Sequence, residues 1–351
     1  MKPDERLTIG YLGNGKSTNR YHLPYSLQRK DTIRVKSIYA RHLDKGAWNR
    51  VTGIDYTDNL DSFLADPDIQ TVICTVPAQA HFDMAKAVLN AGKHCVLEKP
   101  FTHSVAEATE LFRLAREKGV LIQCYQNRRF DSDFLTVQKV IASGKLGDLL
   151  ELEMHYDYYR PEIPEGTAHF SKAESYLYNH ACHTLDQVIS LFGKPDSIHY
   201  DVRQLLVPGR MNDYFDLDLY YGVLKVSVKS SYFRVKDRPS FVLYGKRGMF
   251  VKEQKDRQEA DLKKFYLPDH SDFGLDLPEH YGTLTWYDES GAFHEEKVVS
   301  ERGDYGRYYD ALYETIVHGE APLVTEEQTM LQMEILEHGL AGMRRLSLRN
   351  I

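Results

Sequence analysis

At 351 residues the chain exceeds the usual single-domain size, so two domains are expected. Its composition is 42% hydrophobic and 27% charged, with a net charge of −7 and mixed signs throughout. That argues against nucleic acid or a membrane surface as the main partner. No apolar run approaches the ~20 residues of a membrane span. The opening MKPDERLTIG lacks the order of a signal peptide, so a cytoplasmic protein is expected. The four cysteines, Cys74, Cys95, Cys124 and Cys182, form no CxxC pair and read as buried thiols.

Strand and helix patterns alternate over residues 7–126. Leu7–Leu12 reads as a strand, Asn19–Lys30 as a helix and Thr32–Tyr39 as a second strand. A short helix at Asn59–Ala65, a strand at Gln70–Val76 and a helix at His81–Ala91 follow. His94–Pro100, HCVLEKP, then gives a short apolar run stopped by Pro100, the mark of a buried parallel strand. Ser104 and Glu107 make a capping box for a helix ending at Gly119, and Val120–Cys124 is another strand. This alternation predicts a doubly wound parallel sheet, with a domain boundary near Gln126.

Beyond Gln126 the period changes. A helix is predicted over Asp133–Ala142, and Leu149–Tyr158 alternates at period two. A helix is predicted over Asn179–Leu191. Runs at Asp213–Tyr221, Val223–Phe233, Phe241–Tyr244, Met249–Lys252, Gly282–Tyr287 and Glu295–Val299 predict a largely antiparallel sheet. Helices near Tyr308–Val317 and Glu326–Met343 close the chain.

Gly13-x-Gly15-x-x-Thr18 joins the first strand to the first helix. It carries two glycines of a dinucleotide fingerprint, which permit a tight turn and close approach of a pyrophosphate to the helix N-terminus. The same stretch spells Gly10-x-x-x-x-Gly15-Lys16-Ser17, the formula of a nucleotide-triphosphate P-loop. That reading is disfavoured: Gly10 would have to end the strand, and QTVICTVP offers no magnesium-holding carboxylate. The second strand ends Tyr39-Ala40-Arg41-His42, with no carboxylate for a ribose 2′-hydroxyl. A cation is available there for a 2′-phosphate, which favours NADP over NAD. Taken alone, Lys99 would be a solvated turn residue; its place at a strand end, where open α/β sheets bind ligands, gives it another meaning.

The glycine loop, the TVP strand end with His81 beyond it, and AGKHCVLEKP together resemble the Gfo/Idh/MocA oxidoreductases. Tyr125-Gln126-Asn127-Arg128-Arg129-Phe130-Asp131 and His183-x-x-Asp186 fit the same pattern. Within the family, the Asn-Arg-Arg run and Tyr158-Tyr159-Arg160-Pro161 are most similar to bacterial NADP-dependent scyllo-inositol dehydrogenases. The resemblance implies an α/β fold: a Rossmann domain over 1–126, then an α+β domain over 127–351 with a large open sheet. The second domain would bind substrate and mediate a homodimer or homotetramer. The implied reaction is hydride transfer between a nicotinamide and a cyclic polyol or sugar.

The resemblance also implies the site. Lys99 and His183 would handle the hydroxyl proton, and Asn179 stands where many members carry Asp. Asn can position a group but cannot take a proton, so only positioning is expected of it. Cofactor contacts are expected from Gly13, Gly15, Lys16, Ser17, Thr18, Arg41, His42, Thr75, Pro77, His81, Glu98, Lys99 and Asn127. Substrate contacts are expected from Tyr158, Tyr159, Arg160, Asn179 and His183. The chemistry agrees with these assignments. Histidine titrates near neutral pH, and a lysine beside the same oxygen stabilises developing alkoxide charge. His180 lies three residues before His183, a spacing that permits a metal pair, but no further ligand supports one. A non-catalytic nicotinamide sensor on the same fold is the alternative reading.

Overall fold

The computed structural model describes residues 5–43, 48–162, 172, 175–206 and 210–343. The chain divides into two compact units, one of 1–127 with 258–273 and 304–333, the other of 128–257 with 274–303 and 334–351.

The first unit opens with β1 (Leu7–Leu12), buried at every position. Helix α1 follows; its first part, Ser17–His22, is wound as a π-helix and continues as an α-helix over Leu23–Ser26. Next come β2 (Ile33–Tyr39), the short β3 (Asp55–Thr57), α2 (Leu60–Ala65), β4 (Thr71–Cys74) and α3 (His81–Asn90). Then β5 (His94–Leu97), α4 (Val105–Lys118) and β6 (Ile122–Cys124) complete the run. The six strands are parallel, in the order β3-β2-β1-β4-β5-β6. The order reverses between β1 and β4, and in such sheets the crevice beyond the strand ends at that point receives ligands. Gly10 lies inside β1, paired on both sides, and a Cβ there would come within 2.8 Å of the Phe63 ring. The P-loop reading therefore has no loop to occupy. The Ser104 side chain accepts from the Glu107 N–H and opens α4, and Gly119 closes it in a left-handed conformation.

The second unit begins with α5 (Ser132–Ala142) and β7 (Leu149–His155). A π-helical stretch, Leu177–Ala181, leads into α6 (Cys182–Phe192). Strands β8 (Ser197–Arg203), β9 (Tyr214–Tyr221), β10 (Leu224–Ser231), β11 (Phe241–Gly245) and β12 (Gly248–Lys252) follow. The chain then returns to the first unit for α7 (Gln258–Lys263) and supplies β13 (Gly282–Tyr287) and β14 (Phe293–Val298) to the second. Helices α8 (Arg307–His318) and α9 (Glu326–Ala341) are the last described elements. The eight strands run β14-β13-β12-β11-β7-β10-β9-β8, antiparallel throughout except for the β7–β10 pair. On β7, Leu152 and Met154 are buried as their period predicts. His155, expected on the side of Glu151 and Glu153, is also buried, its Nδ1 2.7 Å from the Pro239 carbonyl. All four cysteines are buried free thiols.

Candidate active site

In the first unit a cleft of about 1080 Å³ opens beside the ends of β1, β2 and β4. Gly13, Gly15, Lys16, Ser17, Arg41, His42, Thr75 and Pro77 line it. Gly13 has φ +126°, and a Cβ there would lie 2.7 Å from Thr75 Oγ1, so only glycine closes this turn without strain. A Cβ on Gly15 would meet nothing within 4 Å, which leaves backbone open for close approach. Thr18, at the third fingerprint position, does not line the cleft. Its hydroxyl is buried, 2.8 Å from the Gly13 carbonyl and 2.7 Å from Thr75 Oγ1, and it ties the loop to the end of β4. A tight turn, an open glycine and the first residues of a helix are what a dinucleotide pyrophosphate requires, so the lining fits that group.

Several features of this cleft carry no local signature in the sequence. Trp48 lines it, and the Trp48 and Phe265 rings lie 5.8 Å apart. The Arg20 guanidinium lies 5.8 Å from the Trp48 ring and 5.3 Å from the Phe265 ring. Phe265 has φ +61°, a left-handed conformation costly for a bulky side chain. Asp83, in the first turn of α3, also lines the cleft; it follows β4, whereas the residues ending β2 carry no carboxylate.

Lys99 follows β5 and is half-buried. Glu98 turns back so that its Oε2 accepts from the Lys99 N–H at 3.1 Å, while its Oε1 accepts from the Ser17 hydroxyl and lies 3.0 Å from His22 Nε2. Burial raises the Glu98 carboxyl, but the hydrogen bond and charge of His22, with Lys99 and Ser17, outweigh it and hold it at about 2. His81 is buried among main-chain carbonyls, with Nδ1 2.9 Å from Pro100 O and Nε2 3.1 Å from Val76 O. It braces the ends of β4 and β5. Burial lowers its pKa, against the Glu98 charge and those carbonyls. Asn127 is buried at the end of this unit's first segment.

In the second unit His183 lies in the first turn of α6 and is 9% exposed. It lines a cavity of about 20 Å³, large enough for one water, together with Arg128, Asp131, Tyr156, Gln187 and Lys255. Asn179, four residues earlier, is half-buried within the π-helical stretch. Asp186 is not available for proton work, because Arg129 engages its two oxygens at 2.8 and 2.7 Å. Burial raises the Asp186 carboxyl, against the Arg129 charge. The pair anchors α6, and motif reading alone did not reveal it. The His180 ring sits 5.0 Å from Tyr158 and 4.4 Å from Tyr176. The Arg160 guanidinium lies 4.6 Å from the Tyr158 ring. Tyr159 stands apart from this cluster, 57% exposed and bridged to Phe233.

Two family profiles cover most of the chain. Residues 7–126 match the Gfo/Idh/MocA oxidoreductase family, NAD-binding Rossmann fold, and residues 138–345 match its C-terminal alpha/beta domain. The chain belongs to the Gfo/Idh/MocA oxidoreductases. This Gfo/Idh/MocA protein is 44% identical over 336 residues to the uncharacterised oxidoreductase YhhX of Escherichia coli, covering 95% of this chain and 96% of that one. It is 33% identical over 339 residues to the scyllo-inositol 2-dehydrogenase (NADP(+)) IolW of Bacillus subtilis, covering 95% and 92%. The crystal structure of yhhX superposes with a TM-score of 0.91 at 43% identity, covering 95% of this chain and 96% of that one. An oxidoreductase from Bacillus cereus superposes at 0.89 and 42%, covering 98% and 100%. Membership makes the protein a dehydrogenase with a nicotinamide cofactor and a small-molecule substrate. Among the described residues no helix is long and apolar enough to cross a membrane.

Proposed function

We propose that this oxidoreductase uses NADP and acts on a secondary alcohol of a cyclic polyol or sugar. The observation that carries the cofactor reading is Arg41 and His42 lining the cleft where β2 ends without a carboxylate. A guanidinium there matches a 2′-phosphate, and an NAD-type site would place Asp or Glu at this strand end. Similarity to IolW, named for scyllo-inositol and NADP(+), supports both the cofactor and the substrate class.

The bound nicotinamide supplies hydride acceptance and donation, and the protein supplies placement and proton handling. Gly13, Gly15, Lys16 and Ser17 hold the pyrophosphate against α1, and Arg41 and His42 hold the 2′-phosphate end. Thr18 and His81 act one layer back, bracing the loop and the strand ends. His183 takes the hydroxyl proton in oxidation and returns it in reduction. Lys99 stabilises developing alkoxide charge by donating a hydrogen bond. Asn179 positions, and Tyr158 and Arg160 contact the substrate. A homodimer or homotetramer through the second unit's sheet is part of the same reading, supported by exposed Tyr220, Tyr244, Tyr287 and Phe293 on its strands. The test is NADP reduction followed across a panel of inositols and aldoses. No turnover with any of them, with tight NADPH binding intact, would favour the sensor reading that Asn179 in place of Asp allows.

A further inference from the structure

A chain of hydrogen bonds runs through the first unit and ends on Glu98, the residue before Lys99. Glu98 Oε1 lies 3.0 Å from His22 Nε2, and His22 Nδ1 lies 2.8 Å from the Tyr309 hydroxyl. Tyr309 lies 2.9 Å from the Tyr11 hydroxyl, Tyr11 lies 2.9 Å from Ser26 Oγ, and Ser26 Oγ lies 3.1 Å from the Leu23 carbonyl. His22, Tyr11 and Tyr309 are fully buried, and Ser26 nearly so.

The hydrogens in this chain can be counted. A carbonyl only accepts, so Ser26 gives its single hydroxyl hydrogen to Leu23. Tyr11 must then donate to Ser26, which leaves Tyr309 to donate to Tyr11. Tyr309 has no second hydrogen, so its oxygen accepts, and His22 Nδ1 must carry the proton between them. At the other end Glu98 Oε1 also accepts from the Ser17 hydroxyl, and Oε2 accepts from the Lys99 N–H. Both Glu98 oxygens accept and the carboxyl is held at about 2, so Glu98 is ionised and Nε2 must donate as well.

We infer that His22 carries both ring protons, and that this buried imidazolium–carboxylate pair makes His22 a positioning residue that holds Glu98 on the Lys99 amide. The surroundings agree. The His22 ring lies over the Tyr125 ring, 3.9 Å between centroids and tilted by 30°, which suits a cation on an aromatic face. The titratable groups facing His22 are Glu98 after β5, Tyr11 on β1, Tyr125 after β6 and Tyr309 on α8. Lys99 acts on Glu98, and Arg29 and Asp304 act on Tyr125 by charge. Burial pushes the Tyr11, Tyr125 and Tyr309 hydroxyls up, so each keeps its one hydrogen and the count stays closed. The pair is neutral as a unit, so Glu98 does not present an uncompensated charge to Lys99. This last consequence rests on Lys99 serving as the site lysine; the proton count does not.

The test is the ring ¹⁵N spectrum of histidine-labelled full-length protein at pH 8, with His22 assigned by its loss in His22→Gln. A free histidine is neutral at that pH. Both His22 nitrogens should show the shift of a protonated nitrogen. Tyr11→Phe removes the acceptor of the Tyr309 hydrogen, which then turns to Nδ1, so Nδ1 should move to the unprotonated shift. Tyr309→Phe should move it the same way by removing the acceptor of Nδ1–H. One bare nitrogen in the wild type, or a spectrum unchanged by both substitutions, overturns the inference. In Tyr11→Phe the unpaired Glu98 charge should also move the pH profile of kcat/KM toward higher pH, by about one unit. A changed spectrum with an unchanged profile overturns the positioning role. Absence of turnover in every variant and in the wild type sinks the proposed activity and leaves the ¹⁵N result standing.

Discussion

At the scale of single residues, Gly13 shows how little freedom the cofactor loop has. Its φ of +126° and the 2.7 Å approach of Thr75 act together. Gly13→Ala should cost about 1–3 kcal/mol of stability and weaken NADPH binding, read by urea titration and by cofactor fluorescence. Arg41 lines the same cleft where β2 ends. Arg41→Ala should lower NADPH affinity roughly tenfold, about 1.4 kcal/mol, and leave NADH affinity unchanged, as titration of both would show. Lys99→Met should reduce turnover by roughly 10²–10⁴ while NADPH still binds. These residues stood out in the sequence because each sits in a short motif at a strand end. His22, Tyr309 and Trp48 did not, and Arg129 stood out only within a motif, not as the partner of Asp186. Each acts through a partner distant in the chain, and no spacing rule links them.

At the scale of elements, the central strands and capped helices were legible and the margins were not. β1 and β5 are short apolar runs, and the Ser104–Glu107 pair marks its helix start. The missed strands are β3 and β8, each at the end of its sheet. β8 reads SIHYDVR, with Ile198, Tyr200 and Val202 at period two, but only Val202 is buried and the run follows Gly193-Lys194-Pro195-Asp196, so this short alternation went unread. The start of α1 moved from Asn19 to Ser17 because the chain enters it as a π-helix. β5 also carries a pH-sensitive bond. The Leu121 N–H donates to His94 Nδ1 at 2.9 Å, and burial lowers the pKa of this ring from 6.5. The unfolded chain therefore binds the proton more readily than the folded one. The stabilisation is complete above pH 6.5 and is lost as pH falls through the lower folded value. The urea midpoint should drop between pH 7.5 and pH 5.5, and His94→Gln should flatten that slope. On α6, Arg129→Met would leave Asp186 buried without its cation, at a cost of roughly 3–5 kcal/mol in chemical denaturation.

For the molecule as a whole, alternation of strand and helix was enough to read a parallel sheet followed by a largely antiparallel one. It was not enough to read that 258–273 and 304–333 belong with the first unit. These segments supply fully or nearly fully buried residues there, among them Tyr305, Tyr308, Tyr309, Leu312 and Val324. A chain cut after residue 303 should therefore lose the cooperative unfolding of the first unit, measured by circular dichroism, although its glycine loop and β1 to β6 are all present. The hydrogen bond between Tyr11 and Tyr309 spans 298 positions. At ribosomal speeds of about 5–20 residues per second, that separation corresponds to roughly 15–60 s of synthesis. During that interval the first strand has emerged while the hydroxyl that completes its buried network has not been made. A nascent cofactor domain of this kind spends its early life with an open core, and it is then, before residue 309 arrives, that a chaperone has most to protect.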